Sequence, residues 1–174
     1  MGTYRMRVLQ LFDLIDTNKN GYIDPGDLPH TDGAPGSAEA QRARIVETLI
    51  RGAVKDGDSN KDSRVTKDEM LHHVERTMVG NPYSAAPAYI RDVTAKIFAL
   101  MDADGNGKVS KDEFERYLKA GNATDPGAAG EFARLDRDGD GALTIDDLNH
   151  ATHRFFTAPE TDVPEHWLLA ALTT

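Results

Sequence analysis

The chain of 174 residues contains no cysteine, only one tryptophan and no long apolar run. Without cysteine, neither a disulfide framework nor thiol catalysis can be built. No run approaches the roughly 20 consecutive apolar residues of a membrane-spanning helix. Residues 1–10 also lack the apolar core and the cleavage site of a signal peptide. We therefore expect a cytoplasmic protein that makes no membrane contact.

Catalytic motifs are lacking as well, since the sequence contains no Gly-Xaa-Ser-Xaa-Gly segment and no phosphate-binding loop. The six histidines show no metal-ligand spacing. The adjacent His72 and His73 would point to different faces of a helix, so we interpret them as ordinary surface or hydrogen-bonded side chains. The formal charge of −9 gives no support to nucleic-acid binding. An enzyme is not predicted.

What the chain does contain is four short runs of Asp and Asn, of which the third is the most regular. A Ca²⁺ ion takes about six to eight oxygens at about 2.3–2.6 Å, supplied by positions 1, 3, 5, 7 and 12 of a tight loop. Glycine at position 6 adopts the positive φ that this turn requires, and Gly107 stands there. The sequence predicts a Ca²⁺ site in loop 3 (102–113), with the ligands Asp102, Asp104, Asn106, the carbonyl of Lys108, and Glu113.

The same plan recurs in the other three runs. Loop 1 (16–27) would use Asp16, Asn18, Asn20, the carbonyl of Tyr22, and Asp27. Loop 4 (136–147) would use Asp136, Asp138, Asp140, the carbonyl of Ala142, and Asp147. Loop 2 (58–69) would use Asp58, Asn60, Asp62, the carbonyl of Arg64, and Glu69. A single run of this kind can also be a solvated turn in which Asp and Asn bond to their own backbone, but four in series make that explanation negligible.

Two departures from the plan affect the expected ion binding. Ser63 replaces glycine at position 6 of loop 2, so we expect three or four bound Ca²⁺ ions, with loop 2 the weakest site or unfilled. Asp27 and Asp147 stand at position 12, where they are one methylene shorter than glutamate. Mg²⁺ prefers a smaller shell of oxygens, so it is an expected competitor at loops 1 and 4. Four Ca²⁺ ions would bring the formal charge of −9 to −1.

Helices are predicted on both sides of the loops. Apolar pairs at a spacing of three, as expected of amphipathic helices, precede loops 1, 3 and 4: Phe12 and Ile15, Phe98 and Met101, Phe132 and Leu135. Position 9 holds a helix N-cap residue in every loop: Asp24, Thr66, Ser110 and Thr144. Glu69 and Glu113 lie three residues after their caps and should form capping boxes. The carboxylate that closes the ion site would therefore also start the next helix.

On these motifs, the chain resembles the EF-hand superfamily over residues 4–157. The loop starts are separated by 42, 44 and 34 residues, and this spacing and the closing segment 162–169 are similar to sarcoplasmic calcium-binding proteins and calerythrin rather than to calmodulin. Pro- and Gly-containing breaks at 29–37, 80–87 and 121–130 separate the repeats. We therefore expect an all-α fold of two EF-hand lobes packed into one compact unit: 1–81, 82–160 and a packed tail, 161–174. Position-8 residues should form short β bridges, Ile23 with Val65 and Val109 with Leu143.

The role of the ions is open between two hypotheses. Calcium sensors open a Met-rich groove, whereas buffers open little, and the five methionines of this chain are scattered. The tail carries Trp167, Leu168, Ala171 and Leu172 at helical spacing with Asp162 as a candidate cap, so it either fills an apolar groove or is an ordinary terminal helix. We favour a monomeric calcium buffer or modulator. A calmodulin-like sensor with a protein target is the alternative, and a structural role is a third class.

Overall fold

The computed structural model describes residues 3–124 and 126–173. The first four helices are α1 (Thr3–Ile15), α2 (Ala38–Gly57), α3 (Lys67–Thr77) and α4 (Ala88–Met101). The others are α5 (Lys111–Ala120), α6 (Pro126–Ala129), α7 (Glu131–Leu135), α8 (Ile145–Thr157) and α9 (His166–Leu169). One-turn 3-10 helices occur at Pro25–Asp27 and Tyr83–Ala85. Within the described ranges, no helix is long and apolar enough to cross a membrane.

The paired loops are joined by short antiparallel β contacts, as predicted. Strands β1 (Val109–Ser110) and β2 (Ala142–Leu143) pair Val109 with Leu143. In the N-terminal half, Ile23 and Val65 exchange two backbone hydrogen bonds of 2.9 Å each. All four of these apolar side chains are fully buried. Loop 1 is therefore linked to loop 2, and loop 3 to loop 4, at the centre of each pair.

Each loop ends on the helix start that its position-9 residue predicts. Asp24, Thr66, Ser110 and Thr144 accept hydrogen bonds from backbone N–H groups of the next turn. Capping boxes form in all four loops, although the sequence indicated them only for Glu69 and Glu113. The shorter Asp27 and Asp147 also reach back to the N–H of the cap residue, at 3.0 and 2.8 Å.

Two segments around the loops differ from what the sequence suggested. The helix that leaves loop 1 is the single 3-10 turn Pro25–Asp27, and an extended segment then leads to α2. The connector expected at 121–130 contains a short helix, α6, which begins at Pro126. Proline suits the first position of a helix because it has no N–H to donate there.

One continuous apolar core runs through both halves of the chain. Helix α2 packs against α4, and α1 packs against both α3 and α8. One residue each from α1, α2, α4 and α8 is at most 1% exposed: Phe12, Ile50, Ile97 and Phe155. The compact arrangement of two EF-hand pairs that the sequence predicted is confirmed.

The tail lies within this core. Trp167 is fully buried, and its carbonyl accepts a 2.5 Å hydrogen bond from the Tyr117 hydroxyl. Asp162, the cap expected from the sequence, is exposed and pairs with Arg134 instead. The cap comes from another helix: the fully buried carboxylate of Glu131 accepts from the backbone N–H groups of Glu165, His166 and Trp167 at 2.7, 2.9 and 3.0 Å.

Candidate metal centres

Loop 3 brings its predicted ligand side chains to one place. Carboxylate oxygens of Asp102, Asp104 and Glu113 lie within 4.8 Å of one another. Asp102 is held by the N–H of Gly107, which donates to its Oδ2 at 2.9 Å. Gly107 has a φ of +82°, so the chain folds back around the concave side of the loop. The side-chain oxygen of Asn106 lies in the same turn and accepts from the backbone N–H two residues further on at 2.8 Å.

The position-12 carboxylate of loop 3 is fixed by the backbone on both sides of the loop. Glu113 Oε2 accepts from the Ser110 N–H and hydroxyl at 2.8 Å each, and Oε1 accepts from the Ala103 N–H at 3.1 Å. These hydrogen bonds, the Ser110 N–H first, lower the pKa of Glu113. A carboxylate that is ionised and held in this way presents both oxygens without further ordering of its side chain.

Loop 4 has a second set of converging carboxylates, from Asp136, Asp138 and Asp140, again within 4.8 Å. Gly141, with a φ of +84°, donates to Asp136 Oδ2 at 2.9 Å. Hydrogen bonds lower the pKa of Asp140, chiefly the one from the backbone N–H two residues further on and secondly one from a lysine of loop 3. Asp147 is not a member of this set; its Oδ2 accepts from its helix cap at 2.8 Å.

Loop 1 has the same turn but only two carboxylates at its ligand positions. Asp16 and Asp27 are buried, at 4% and 1% exposure. Asp16 Oδ2 accepts from the Gly21 N–H at 3.0 Å, and Asp27 Oδ1 accepts from Thr17 and Asn18 N–H groups at 2.9 and 3.2 Å. The other side-chain ligands would be the amide oxygens of Asn18 and Asn20. Loop 1 therefore offers less negative charge to a cation than loop 4 does.

Loop 2 keeps the turn although it lacks glycine at position 6. Ser63 adopts a φ of +67°, and its N–H donates to Asp58 Oδ2 at 2.8 Å. Hydrogen bonds, first that from the Thr66 N–H, lower the pKa of Glu69 to about 2. Loop 2 has three carboxylates at ligand positions, Asp58, Asp62 and Glu69, but among the described residues only loops 3 and 4 have three carboxylates that converge.

The position-7 residues have the same geometry in every loop. The N–H of each donates to the position-5 side-chain oxygen, at 2.8–3.0 Å. The donors are the N–H groups of Tyr22, Arg64, Lys108 and Ala142, and the acceptors are the side chains of Asn20, Asp62, Asn106 and Asp140, in the same order. Every loop thus offers carboxylate and carbonyl oxygens as metal ligands, and loops 1, 2 and 3 add amide oxygens. Hard divalent cations such as Ca²⁺ and Mg²⁺ take this set of ligands, so the residues fit the ion that the sequence predicts.

The structure shows a side-chain hydroxyl at position 2 of loops 1 and 2 that contacts the closing carboxylate, and the spacing of the ligands alone did not identify it. The Ser59 hydroxyl donates to Glu69 Oε1 at 2.7 Å, and the Thr17 hydroxyl donates to Asp27 Oδ1 at 3.2 Å. Both fix the carboxylate that closes their loop. The sequence signal is a Ser or Thr directly after the first Asp, which loops 3 and 4 replace with Ala103 and Arg137.

Comparison with known families agrees with these loops. A profile of the EF hand domain matches residues 94–121, and a second EF hand profile matches residues 9–28 and 129–150. The chain thus carries EF-hand motifs in these three segments. The matched segments contain loops 1, 3 and 4, whereas loop 2 lies outside them. The family matches and the geometry of the loops therefore both support calcium binding through EF-hands.

Among curated relatives, the chain is 27% identical over 111 residues to the sarcoplasmic calcium-binding protein alpha chain of Penaeus vannamei. The match covers 58% of each chain, so the protein spans less than two thirds of that relative. It is 23% identical over 158 residues to calerythrin of Saccharopolyspora erythraea, which covers 86% of this chain and 89% of calerythrin. The predicted resemblance to this group is confirmed.

Solved structures show the same fold. A sarcoplasmic calcium-binding protein from amphioxus superposes with a TM-score of 0.70 at 20% identity, covering 96% of both chains. A Streptomyces coelicolor calcium-binding protein, described in the context of prokaryotic calcium-mediated regulation, gives a TM-score of 0.61 at 24% identity. That alignment covers 92% of this chain and 99% of the other.

Proposed function

We propose that this protein is a compact cytoplasmic calcium buffer or modulator, made of two EF-hand pairs, 1–81 and 82–160, and a tail, 161–174. Loops 1, 3 and 4 bind Ca²⁺, and loop 2 binds it most weakly. Mg²⁺ competes at loops 1 and 4. The similarity to sarcoplasmic calcium-binding proteins supports this assignment. The protein acts as a monomer.

The observation that carries the buffer role is the burial of the apolar surfaces of the two halves against each other. A sensor must expose such a surface to bind a target helix. Here Phe12, Ile97 and Trp167, from the first half, the second half and the tail, lie in one shared core, each at most 1% exposed. In the part of the chain that the structure describes, the large apolar side chains with more than a third of their surface exposed lie far apart in the sequence: Met6, Tyr22, Val79 and Ile145.

The chain's own residues perform distinct tasks in ion binding. The position-1 aspartates are held by two kinds of backbone donor: the position-6 N–H donates to Oδ2, and another N–H of the same loop donates to Oδ1. The position-12 carboxylates are held by the N–H of the helix cap at position 9 of the same loop. A bound Ca²⁺ would supply the positive charge that compensates these carboxylates. Because their hydrogen bonds are made within the loop, the ligands need little reordering.

The direct test is calorimetric titration of metal-free protein with Ca²⁺. Replacing the first ligand of one loop, as in Asp16→Ala, Asp102→Ala or Asp136→Ala, should remove one strong site each. Asp58→Ala should remove a weak site. Asp92→Ala is the matched control, because Asp92 is an exposed residue of α4 outside every loop. If Asp102→Ala and Asp136→Ala retained the full stoichiometry, loops 3 and 4 would not be the sites.

A calcium sensor is the alternative function. The similarity to the Streptomyces coelicolor protein favours it, since that protein's structure is described as a basis for calcium-mediated regulation. A sensor would separate apolar surfaces on filling and bind a protein target through them. Fluorescence of a hydrophobic dye distinguishes the two: it should fall when Ca²⁺ fills a buffer and rise when Ca²⁺ fills a sensor.

A further inference from the structure

Two buried arginines of the N-terminal half contact helix ends of the C-terminal half. Arg7 of α1 is 4% exposed and Arg42 of α2 is 9% exposed. We call these two residues the cross-half arginines. Each reaches the C-terminal end of a helix that leaves a loop of the other half: α8 after loop 4, and α5 after loop 3. Buried arginine is rare in proteins and needs hydrogen-bond partners to offset its desolvation.

Arg7 makes four hydrogen bonds to the end of α8. Its Nε donates to the Phe155 carbonyl at 2.8 Å, and its Nη2 donates to the carbonyls of Ala158 and Arg154 at 2.7 and 3.2 Å. Nη1 donates to the Glu160 carbonyl at 2.9 Å. The last carbonyls of a helix lack partners within the helix and carry its partial negative charge. Arg7 therefore caps α8 from another helix.

Arg42 makes the equivalent but weaker contact with the end of α5. Its Nη1 donates to the Ala120 carbonyl at 3.0 Å, and Nη2 lies 3.5 Å from the Tyr117 carbonyl. The guanidinium carbon is 5.9 Å from the centroid of the Tyr117 ring, as Arg7's is 5.8 Å from that of Phe155. Both cross-half arginines thus combine carbonyl capping with contact to the aromatic ring of the same helix end.

The helices involved lead directly to ion ligands. Helix α1 ends at Ile15, one residue before Asp16, and α8 carries Asp147 in its first turn. Helix α2 likewise ends one residue before Asp58, and α5 carries Glu113 in its first turn. Arg7 thus connects the first ligand of loop 1 with the last ligand of loop 4 through two rigid helices. Arg42 connects loop 2 with loop 3 in the same way.

We propose that the cross-half arginines are positioning residues that couple calcium binding between the halves, loop 1 with loop 4 through Arg7 and loop 2 with loop 3 through Arg42. The β contacts already link loop 1 to loop 2 and loop 3 to loop 4. Together the four links form a closed ring through all four sites. This inference rests on the proposed calcium binding, and it assigns cooperativity across the halves to two residues that touch no ion.

The test measures how loss of one site changes the affinity of its cross-half partner. Backbone amide signals of Gly21 and Gly141 in two-dimensional NMR spectra report loops 1 and 4 separately during Ca²⁺ titration. In the parent protein, Asp16→Ala should weaken loop 4 by about fivefold or more, the lower range of typical coupling between sites. In an Arg7→Met background the same change should weaken loop 4 by less than about twofold, because methionine keeps the apolar packing and removes the capping.

Matched controls separate coupling from general destabilisation. Arg5→Gln removes a half-exposed arginine of α1 that pairs with Glu75 within the same half, so it should leave the coupling of loop 1 and loop 4 as in the parent. Arg42→Met should reduce the coupling between loops 2 and 3, whereas Arg44→Gln, on the exposed side of the same helix, should not. Should Arg7→Met fail to fold, Arg7→Lys serves instead, because lysine keeps the charge but cannot bond several carbonyls in a fixed fork.

The outcomes distinguish this inference from the proposed function. If Gly21 and Gly141 signals do not respond to Ca²⁺, calcium binding itself is wrong. If both respond but Asp16→Ala leaves the Ca²⁺ affinity of loop 4 unchanged, the proposed role of Arg7 is wrong while calcium binding stands. The same holds if Asp16→Ala lowers that affinity equally with and without Arg7. A loss of coupling in Arg5→Gln equal to that in Arg7→Met would also overturn it.

Discussion

Position 6 of loop 2 shows how one residue can limit an otherwise complete site. Ser63 adopts the same left-handed turn as Gly107 and Gly141, at a φ of +67°. A residue with a Cβ pays about 1 kcal/mol or more in this conformation. Ser63→Gly should therefore raise the Ca²⁺ affinity of loop 2 about fivefold, the factor that corresponds to about 1 kcal/mol. Calorimetry measures it, with the exposed Ser84→Gly as control; an unchanged affinity in Ser63→Gly would refute this account of the weak site.

Position 12 should decide how well a loop distinguishes Ca²⁺ from Mg²⁺. Asp147 stays with its helix cap and is not among the converging carboxylates of loop 4, whereas Glu113 converges with its partners in loop 3. Bidentate reach is harder for the shorter side chain, and Mg²⁺ accepts fewer oxygens than Ca²⁺. Asp147→Glu should sharpen the preference of loop 4 for Ca²⁺, and Glu113→Asp should blunt that of loop 3. Mg²⁺ competition that is unaffected by both changes would contradict this prediction.

His73 gives the folded protein a dependence on pH that the sequence did not indicate. We interpreted it as a surface or hydrogen-bonded histidine, but it is 6% exposed and neither ring nitrogen has a hydrogen-bond partner among the described residues. Its ring stacks on Tyr89 at a centroid distance of 6.0 Å. Burial lowers the pKa of His73, Arg76 lowers it further, and Asp56 opposes this.

Because the folded pKa of His73 is lowered, the unfolded chain binds the proton more readily. The stability that depends on a neutral His73 is complete above the unfolded pKa of about 6.5 and is lost as the pH falls below it. His73→Phe keeps the ring and should flatten this slope, while the exposed His72→Phe should not. Chemical denaturation at several pH values and fixed free Ca²⁺ tests this. Parallel slopes for the parent and His73→Phe would show that another group is responsible.

At the scale of single elements, the attachment of α9 depends on one carboxylate. Glu131 of α7 is fully buried and accepts from three consecutive backbone N–H groups at the start of α9. Removing it leaves buried donors without a charged acceptor, which costs about 3 kcal/mol. Glu131→Ala should loosen the tail and shift Trp167 emission to the red. The exposed Glu115→Ala is the control, and blue emission retained in Glu131→Ala would mean that apolar packing alone holds the tail.

The elements also show what could be predicted from the sequence. The loops, their helix caps and the position-8 β contacts depend on residues within one repeat, so spacing was sufficient to predict them. Glu131, Arg7 and Arg42 act on segments 34 to 153 residues away in the sequence. No local pattern indicates such partners. The tail shows both cases, because the apolar spacing around Trp167 predicted its buried face, while the expected cap Asp162 was wrong.

For the whole molecule, ion binding and folding should be linked. The carboxylates of loops 3 and 4 that converge within 4.8 Å repel one another unless a cation compensates them. Each filled site adds roughly 4 kcal/mol to stability at free metal a thousandfold above the dissociation constant. With a shared core across both halves, this stabilisation should act on the entire chain. Filling the sites should therefore tighten the closed unit and not open it.

Small-angle X-ray scattering during a Ca²⁺ titration tests this claim most directly. A compact chain of this length has a radius of gyration of about 16 Å. We predict that the calcium-filled protein has this value and that the metal-free protein is equal or larger. A radius of gyration that grows as Ca²⁺ binds, with two separated lobes in the distance distribution, would contradict the buffer and establish the sensor.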